Sequence, residues 1–406
     1  MTKLHNASVV WIFFLLITFF GVTPIFKAFG ILNVLLFFLN VTSSALLLGL
    51  HWRMKQKLSL VWIVTHISFC YLVVFALLTK NVLLVGRFSE YLILANSLQF
   101  LLYCQTNDLG RELKILVQIA LIVVCISCIT TLIGYTIDPH ASRMVGDNPH
   151  LYASNIGGYG FVYSLIFFAI ALQIMMAPGH WQRGGLFWRV LVFGLCVVTV
   201  ISSRFLIGGI LLVILLFFFY LTRRPPFHLG GRMLWILTGL IGISMVSSFA
   251  YWLYQNESYL VVKAFDILLT IFSQSDSGYL AERLAKYSSS VDGLFEFPVF
   301  GVLAGGGDVF GWQWYGRHSF ILDNFALFGL FGGLVYLYIL LAPWFSYRRR
   351  LGMDFQIALV GAATIFMLAL TNILTPEILI AAYLILPATA ALKNTSILNA
   401  DLDRSV

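Results

Sequence analysis

The sequence predicts an all-α polytopic membrane protein with about twelve transmembrane helices and one long, partly helical outer loop. Three observations carry that reading. The chain is 60% hydrophobic and 10% charged, whereas an ordinary soluble domain is roughly 25% charged. Runs of about 20 apolar residues, enough to cross the hydrocarbon core at about 1.5 Å per residue, recur from end to end. Between residues 255 and 318 the pattern breaks once, into a long stretch that carries Arg283, Lys286, Arg317 and His318. The composition excludes a soluble fold and leaves a single integral membrane domain over residues 1–406.

In order, the spans are expected at 8–26, 29–50, 59–79, 84–104, 115–136, 154–176, 189–203, 205–221, 233–254, 319–343, 355–373 and 377–392. The first is too long for a cleaved signal peptide, and no small-residue cleavage site follows it. An even number of spans puts both termini on one side. With that side cytoplasmic, the inner segments carry Lys3, then Arg53, Lys55 and Lys57, then Arg111 and Lys114, then Arg183 and Arg189. They continue with Arg223, Arg224 and Arg232, the run Arg348, Arg349 and Arg350, and finally Lys393 and Arg404. Most of the 25 Lys and Arg are then inside, as the positive-inside rule requires, and the RRPP and RRR clusters read as topology anchors. The net charge of +8 follows from this bias and implies no nucleic acid.

Several features have plain structural readings. All five cysteines fall in apolar runs, and the C-x-x-C at Cys125 and Cys128 reads as core packing. His66, alone in an apolar run, reads as a satisfied core histidine. The loop 137–153 holds Asp138, His140, Arg143, Asp147 and His150, a spacing that matches no defined metal site. In SNIGGYGFVY, Gly157, Gly158 and Gly160 favour close helix packing over a glycine-lined substrate cleft. There is no internal repeat, nucleotide-binding glycine motif or nucleophile elbow.

The outer loop 255–318 is partly helical by pattern. Leu280, Leu284, Tyr287, Val291 and Leu294 recur at helical spacing, with Arg283, Lys286 and Ser290 off that stripe. Glu282 precedes Lys286 by one turn, a favourable pair. Pro298 and the glycines at 305–307 end the pattern. Trp312, Trp314 and Tyr315 favour the bilayer surface. Such a helix is either an interfacial strut or a lid over a lipid-bound substrate, and the length of the segment favours the lid.

The candidate site lies on the outer face. Arg204 stands between two spans with almost no loop, where an unpaired guanidinium is costly. With Arg283 and Arg317 it would form a cationic pocket whose guanidinium forks suit the oxygens of a lipid-borne pyrophosphate. His318, at the mouth of a span, titrates in the range needed to take a proton from a sugar hydroxyl, and cationic neighbours would keep it neutral. Asp323, in the same span, would orient the site or bond a neighbouring helix, and Lys286 is a supporting cation. Arginines stabilise a leaving pyrophosphate directly, so the chemistry requires no metal and no cofactor is expected.

These residues resemble the O-antigen ligase and polymerase superfamily of bacterial envelope proteins. SSR at 202–204 resembles the family's span-end arginine, and ERLAKY at 282–287 its second arginine. HSFILDNFALFGLFGG at 318–333 resembles its histidine followed eleven residues later by Gly-Leu-x-Gly, here Gly329, Leu330 and Gly332. FPVFGVLAGG before the histidine also fits. The resemblance covers the C-terminal half; the first 150 residues match only in hydropathy and span number. It implies that Arg204 and Arg283 bind the undecaprenyl pyrophosphate of a glycan donor and that His318 activates the acceptor hydroxyl. Arg317 has no counterpart in the pattern, and Ser319 stands where many members have asparagine. It implies a bacterial inner-membrane glycosyltransferase of polysaccharide biosynthesis, with both termini cytoplasmic. Flippase and chain-length regulator proteins would be its partners. NIGGYGFVY and GRHSFILD favour a polymerase of O-antigen or exopolysaccharide repeat units over a ligase acting on lipid A core. The rival from another class is a glycan transporter, which would place its charges near the bilayer midplane and show repeated halves.

Overall fold

A computed structural model describes residues 2–29, 32–78, 83–138, 141, 153–176, 185–203, 205, 208–209, 211–212, 279–305 and 319–392. Among them every regular element is a helix. In chain order these are α1 (Thr2–Val22), a 3-10 turn (Pro24–Phe29), α2 (Leu32–Met54), α3 (Leu60–Leu78), α4 (Leu83–Thr106), α5 (Gly110–Ile137), α6 (Tyr159–Met176) and α7 (Leu186–Ser202). Then follow α8 (Tyr279–Glu296), α9 (Gly301–Gly305), α10 (Phe320–Arg350), α11 (Phe355–Thr371) and α12, which starts at Pro376–Ile380 and runs on through a π turn at Ala381–Ile385. Five of these, within Leu32–Met54, Leu60–Leu77, Gly110–Ile137, Tyr159–Met176 and Phe320–Arg350, are long and apolar enough to cross a membrane. Shorter apolar helices occur at Val9–Val22, Leu186–Ser202, Phe355–Thr371 and Pro376–Leu392. The protein is therefore a helical membrane protein. The expected spans at 205–221 and 233–254 lie almost wholly outside the described residues.

The chain divides into two compact units. The first comprises residues 1–203, 334–369 and 373–406. Its centre is α12, packed against α1, α4 and α6. From Glu377 to Ala390 nearly every side chain of α12 is buried, and α6 is buried on all sides from Gly160 to Leu172. A helix apolar all round belongs in such a place. Gly21 of α1 and Gly160 of α6 let α12 and the residues just before it come close: a Cβ on the first would strike Ile380, and on the second Thr375 and Glu377. The sequence reading of Gly160 as a packing glycine agrees.

Lipid is as apolar as leucine, so packing detail and buried polar bonds hold such helices together more than water exclusion does. Asn96 of α4 supplies the main polar joint. Its amide nitrogen donates to the Asn40 carbonyl (3.0 Å) and to Ser44 Oγ (2.8 Å), while Trp62 Nε1 donates to its Oδ1 (3.1 Å). One side chain thus ties α2, α3 and α4. His66 Nδ1 donates to the Trp62 carbonyl (2.7 Å) and the ring stacks on that of Trp62; its Nε2 has no partner, so it is satisfied at one nitrogen only. The four cysteines 104, 125, 128 and 196 are buried and free, and Cys70 is exposed and free.

The second unit comprises residues 204–333 and 370–372. Its regular elements among the described residues are chiefly α8, α9 and the first portion of α10. The expected helix from Tyr279 is present and ends at Glu296, just before Pro298.

Candidate functional site

The mouth of α10 is built from short-range bonds. Ser319 is its N-cap: its hydroxyl accepts the Leu322 N–H (3.1 Å), and its carbonyl accepts the Asp323 N–H (2.9 Å). The Phe320 N–H, another donor orphaned at a helix start, reaches the Asn372 carbonyl (3.2 Å). The position where the resemblance expects asparagine therefore carries a serine that does the capping itself.

Asp323 follows in the first turn of α10, fully buried. Its Oδ1 accepts a hydrogen bond from Ser290 Oγ of α8 at 2.7 Å, and Ser290 is itself buried. A carboxylate in the first turn is favoured by the helix dipole, and a hydroxyl donated to it is a strong bond. Of the two roles open to Asp323 in the sequence, this contact is the bond to a neighbouring helix.

The second contact between these segments is backbone on backbone. α10 breaks at Gly329, whose φ of 67° and ψ of −170° are open to glycine and scarcely to other residues. The break frees the N–H groups of the next residues. Leu330 N–H bonds to the Pro298 carbonyl (2.8 Å) and Phe331 N–H to the Val299 carbonyl (3.4 Å). Gly301, also at positive φ, lies against the same point. A Cβ on it would strike the Leu327 carbonyl, and a Cβ on Gly329 would strike the Val299 carbonyl. FPVFG and GLFGG, noted separately in the sequence, form one joint.

Of the candidate site residues, Arg204, Arg317 and His318 lie outside the described residues. Arg283 occupies α8 two turns before Ser290. Lys286 is half-buried one turn before Ser290. α8, which carries Arg283 and Lys286, and α10, which follows His318, are thus joined at Ser290–Asp323 and again through the segment 298–301. Ser290, off the apolar stripe, is buried, and Leu284 on that stripe and Phe295 are exposed. The protein-facing side of α8 is centred on Ser290 and Gly293, and part of its apolar side is left for lipid.

Sequence reasoning passed over a further polar pair. Glu377, buried in the first turn of α12, forms an ion pair with Lys27 of the 3-10 turn. Glu377 Oε2 and Thr375 Oγ1 have no hydrogen-bond partner. An ionisable residue at the edge of an apolar run was the available signal. The loop residues His140, Arg143, Asp147 and His150, whose spacing matches no defined metal site, lie outside the described residues, and among those described no three of His, Cys, Asp and Glu gather as a metal site.

No protein-family model matches this chain, and no curated protein matches it.

Proposed function

We propose that the protein polymerises lipid-linked oligosaccharide repeat units on the outer face of the bacterial cytoplasmic membrane. The chain would cross twelve times with both termini cytoplasmic. The donor is a glycan on undecaprenyl pyrophosphate; Arg204, Arg283 and Arg317 hold its pyrophosphate, and His318 takes the proton from the acceptor sugar hydroxyl. As the acceptor oxygen bonds to the donor's anomeric carbon, the bond from that carbon to the pyrophosphate oxygen breaks. The arginines receive the negative charge that leaves with the pyrophosphate.

The observation that carries this reading is the buried Ser290–Asp323 hydrogen bond. It fastens the helix bearing Arg283 to the helix that begins next to His318, which is what a donor clamp and a base acting on one bond require. The test is a gel of products from purified protein in lipid vesicles with an undecaprenyl-pyrophosphate repeat unit, run beside His318→Ala. A ladder of lengths that vanishes in the variant is the expected outcome. A ladder that persists overturns the role of His318. Transfer of glycan to an added lipid A core acceptor without a ladder makes the protein a ligase, and no transfer with intact insertion returns the transport reading. Arg204→Lys keeps the charge and loses the fork, so donor affinity should fall; equal affinity would remove the bidentate contact.

A further inference from the structure

A cavity of about 350 Å³ opens in the first unit where the C-terminal ends of α2, α4 and α10 meet. These are ends that the charge bias assigns to the cytoplasm, and the cavity has no part in the transfer chemistry above. Its floor is His51 and Gln99, both buried, and its rim includes Gln56, Lys57, Gln105 and Arg350.

The floor is set by bonds beneath it. The Ser59 N–H donates to Gln99 Oε1 (3.0 Å), which turns the amide nitrogen of Gln99 toward His51 Nε2 (2.5 Å). His51 Nδ1 lies 2.8 Å from the Leu47 carbonyl and so must carry the ring proton. Nε2 therefore accepts from Gln99, and the imidazole is neutral in this arrangement. The rim is set by how α2 ends. Lys55 has a positive φ of 53°, and the Gln56 N–H bonds back to the His51 carbonyl (3.0 Å), which turns Gln56 and Lys57 over the cavity.

No carboxylate lines the cavity, and neither Lys57 nor Arg350 has an acidic partner among the described residues. The positive-inside bias accounts for cations on this face. It does not account for a recess with an oriented amide as its floor and two unneutralised cations on its rim. We propose that this recess is a binding site for a phosphate group. Lys57 and Arg350 would supply the charge, and the amides of Gln56, Gln99 and Gln105 the hydrogen bonds. The volume suits a phosphate with a small substituent and is at the small end of ligand sites. Such a group is available from an anionic phospholipid headgroup or from a soluble phosphate compound.

Two arms distinguish the sources, each using the full chain in nanodiscs. In the first, native mass spectrometry counts phosphatidylglycerol retained from mixed phosphatidylglycerol and phosphatidylcholine discs. In the second, inorganic phosphate is titrated calorimetrically into phosphatidylcholine discs. One saturable site per chain is expected in at least one arm. Affinity should fall at least tenfold in Lys57→Gln/Arg350→Gln and stay within twofold in Arg53→Gln/Lys55→Gln, which removes two exposed charges from the same end outside the recess. Equal loss in both double variants would reduce the effect to diffuse surface charge and overturn the site, as would no saturable binding in either arm. Should the first double variant melt early, Gln105→Glu on the exposed rim replaces it, with the same tenfold loss expected and unchanged affinity counting against the site.

Discussion

Among the described residues, α10 departs from regular geometry at Gly329 and α12 at its π turn, and the two are repaired by different means. In α10 the freed N–H groups of Leu330 and Phe331 are taken up by carbonyls of the segment that follows α8. In α12 the π turn at Ala381–Ile385 loosens the carbonyl ladder, and side chains close it. The Tyr347 hydroxyl donates to the Tyr383 carbonyl within the turn (2.6 Å), while the Tyr383 hydroxyl reaches outward to the Leu340 carbonyl of α10 (2.6 Å). Non-helical backbone at membrane depth survives only where protein satisfies it. A break closed by another segment's backbone fixes where that segment sits. A break closed by a buried tyrosine belongs to the core and informs no loop. The first departure is a joint beside the candidate site, the second a brace within a packed centre.

The sharpest way to break this contrast is Gly329→Val. The added carbons meet the Val299 carbonyl and the Gly301 nitrogen, and the positive φ adds strain, so a loss of more than about 3 kcal/mol is expected. Thermal unfolding in detergent measures it. Gly301→Val should behave alike, and the double variant should lose less than the sum, since both open the same contact. Wild-type melting in either single variant would mean that 298–301 does not seat on α10. Asp323→Asn comes next. It removes the charge from the bond to Ser290 and should cost about 1.5–3 kcal/mol, seen as faster hydrogen exchange across 284–296 with little change in the first unit. Unaltered protection there would leave the backbone joint as the sole tie. Tyr347→Phe is the mildest, about 1 kcal/mol for an acceptor left unpaired in a membrane interior. It should speed exchange around 381–390 and leave product length in the vesicle assay unchanged. A shortened ladder in this variant would show that the brace reaches the site after all.

Helices at the expected places were legible because a chain in lipid must satisfy its own backbone, so long apolar runs have few alternatives to helix. The helix from Tyr279 was legible through the spacing of Leu284, Tyr287 and Val291. Its inward face was not. A helix at a membrane surface meets protein, lipid and water, so its apolar side need not be its protein side. Ser290 turned inward because Asp323 offers a bond that lipid lacks. The contact of Gly301 with Gly329 left no periodic trace, since it depends on two carbonyl groups meeting a break in another helix. Lys27 and Glu377 come from opposite ends of the sequence and share no local pattern. The cationic pocket proposed from Arg204, Arg283 and Arg317, with His318 as its base, rests on the sequence, with α8 and α10 as its described frame.

The position of α12 has a consequence for how the protein is made. It is the most enclosed helix described and follows all the other described helices in the chain. Until it emerges, the faces of α1, α4 and α6 that will meet it have only lipid or one another, and Lys27 waits without its carboxylate. The first unit can therefore close only after translation has passed residue 390. Unlike a domain that folds as it is synthesised, this one is held open by its own gene order, and an insertase or chaperone has the whole of that interval in which to act on it.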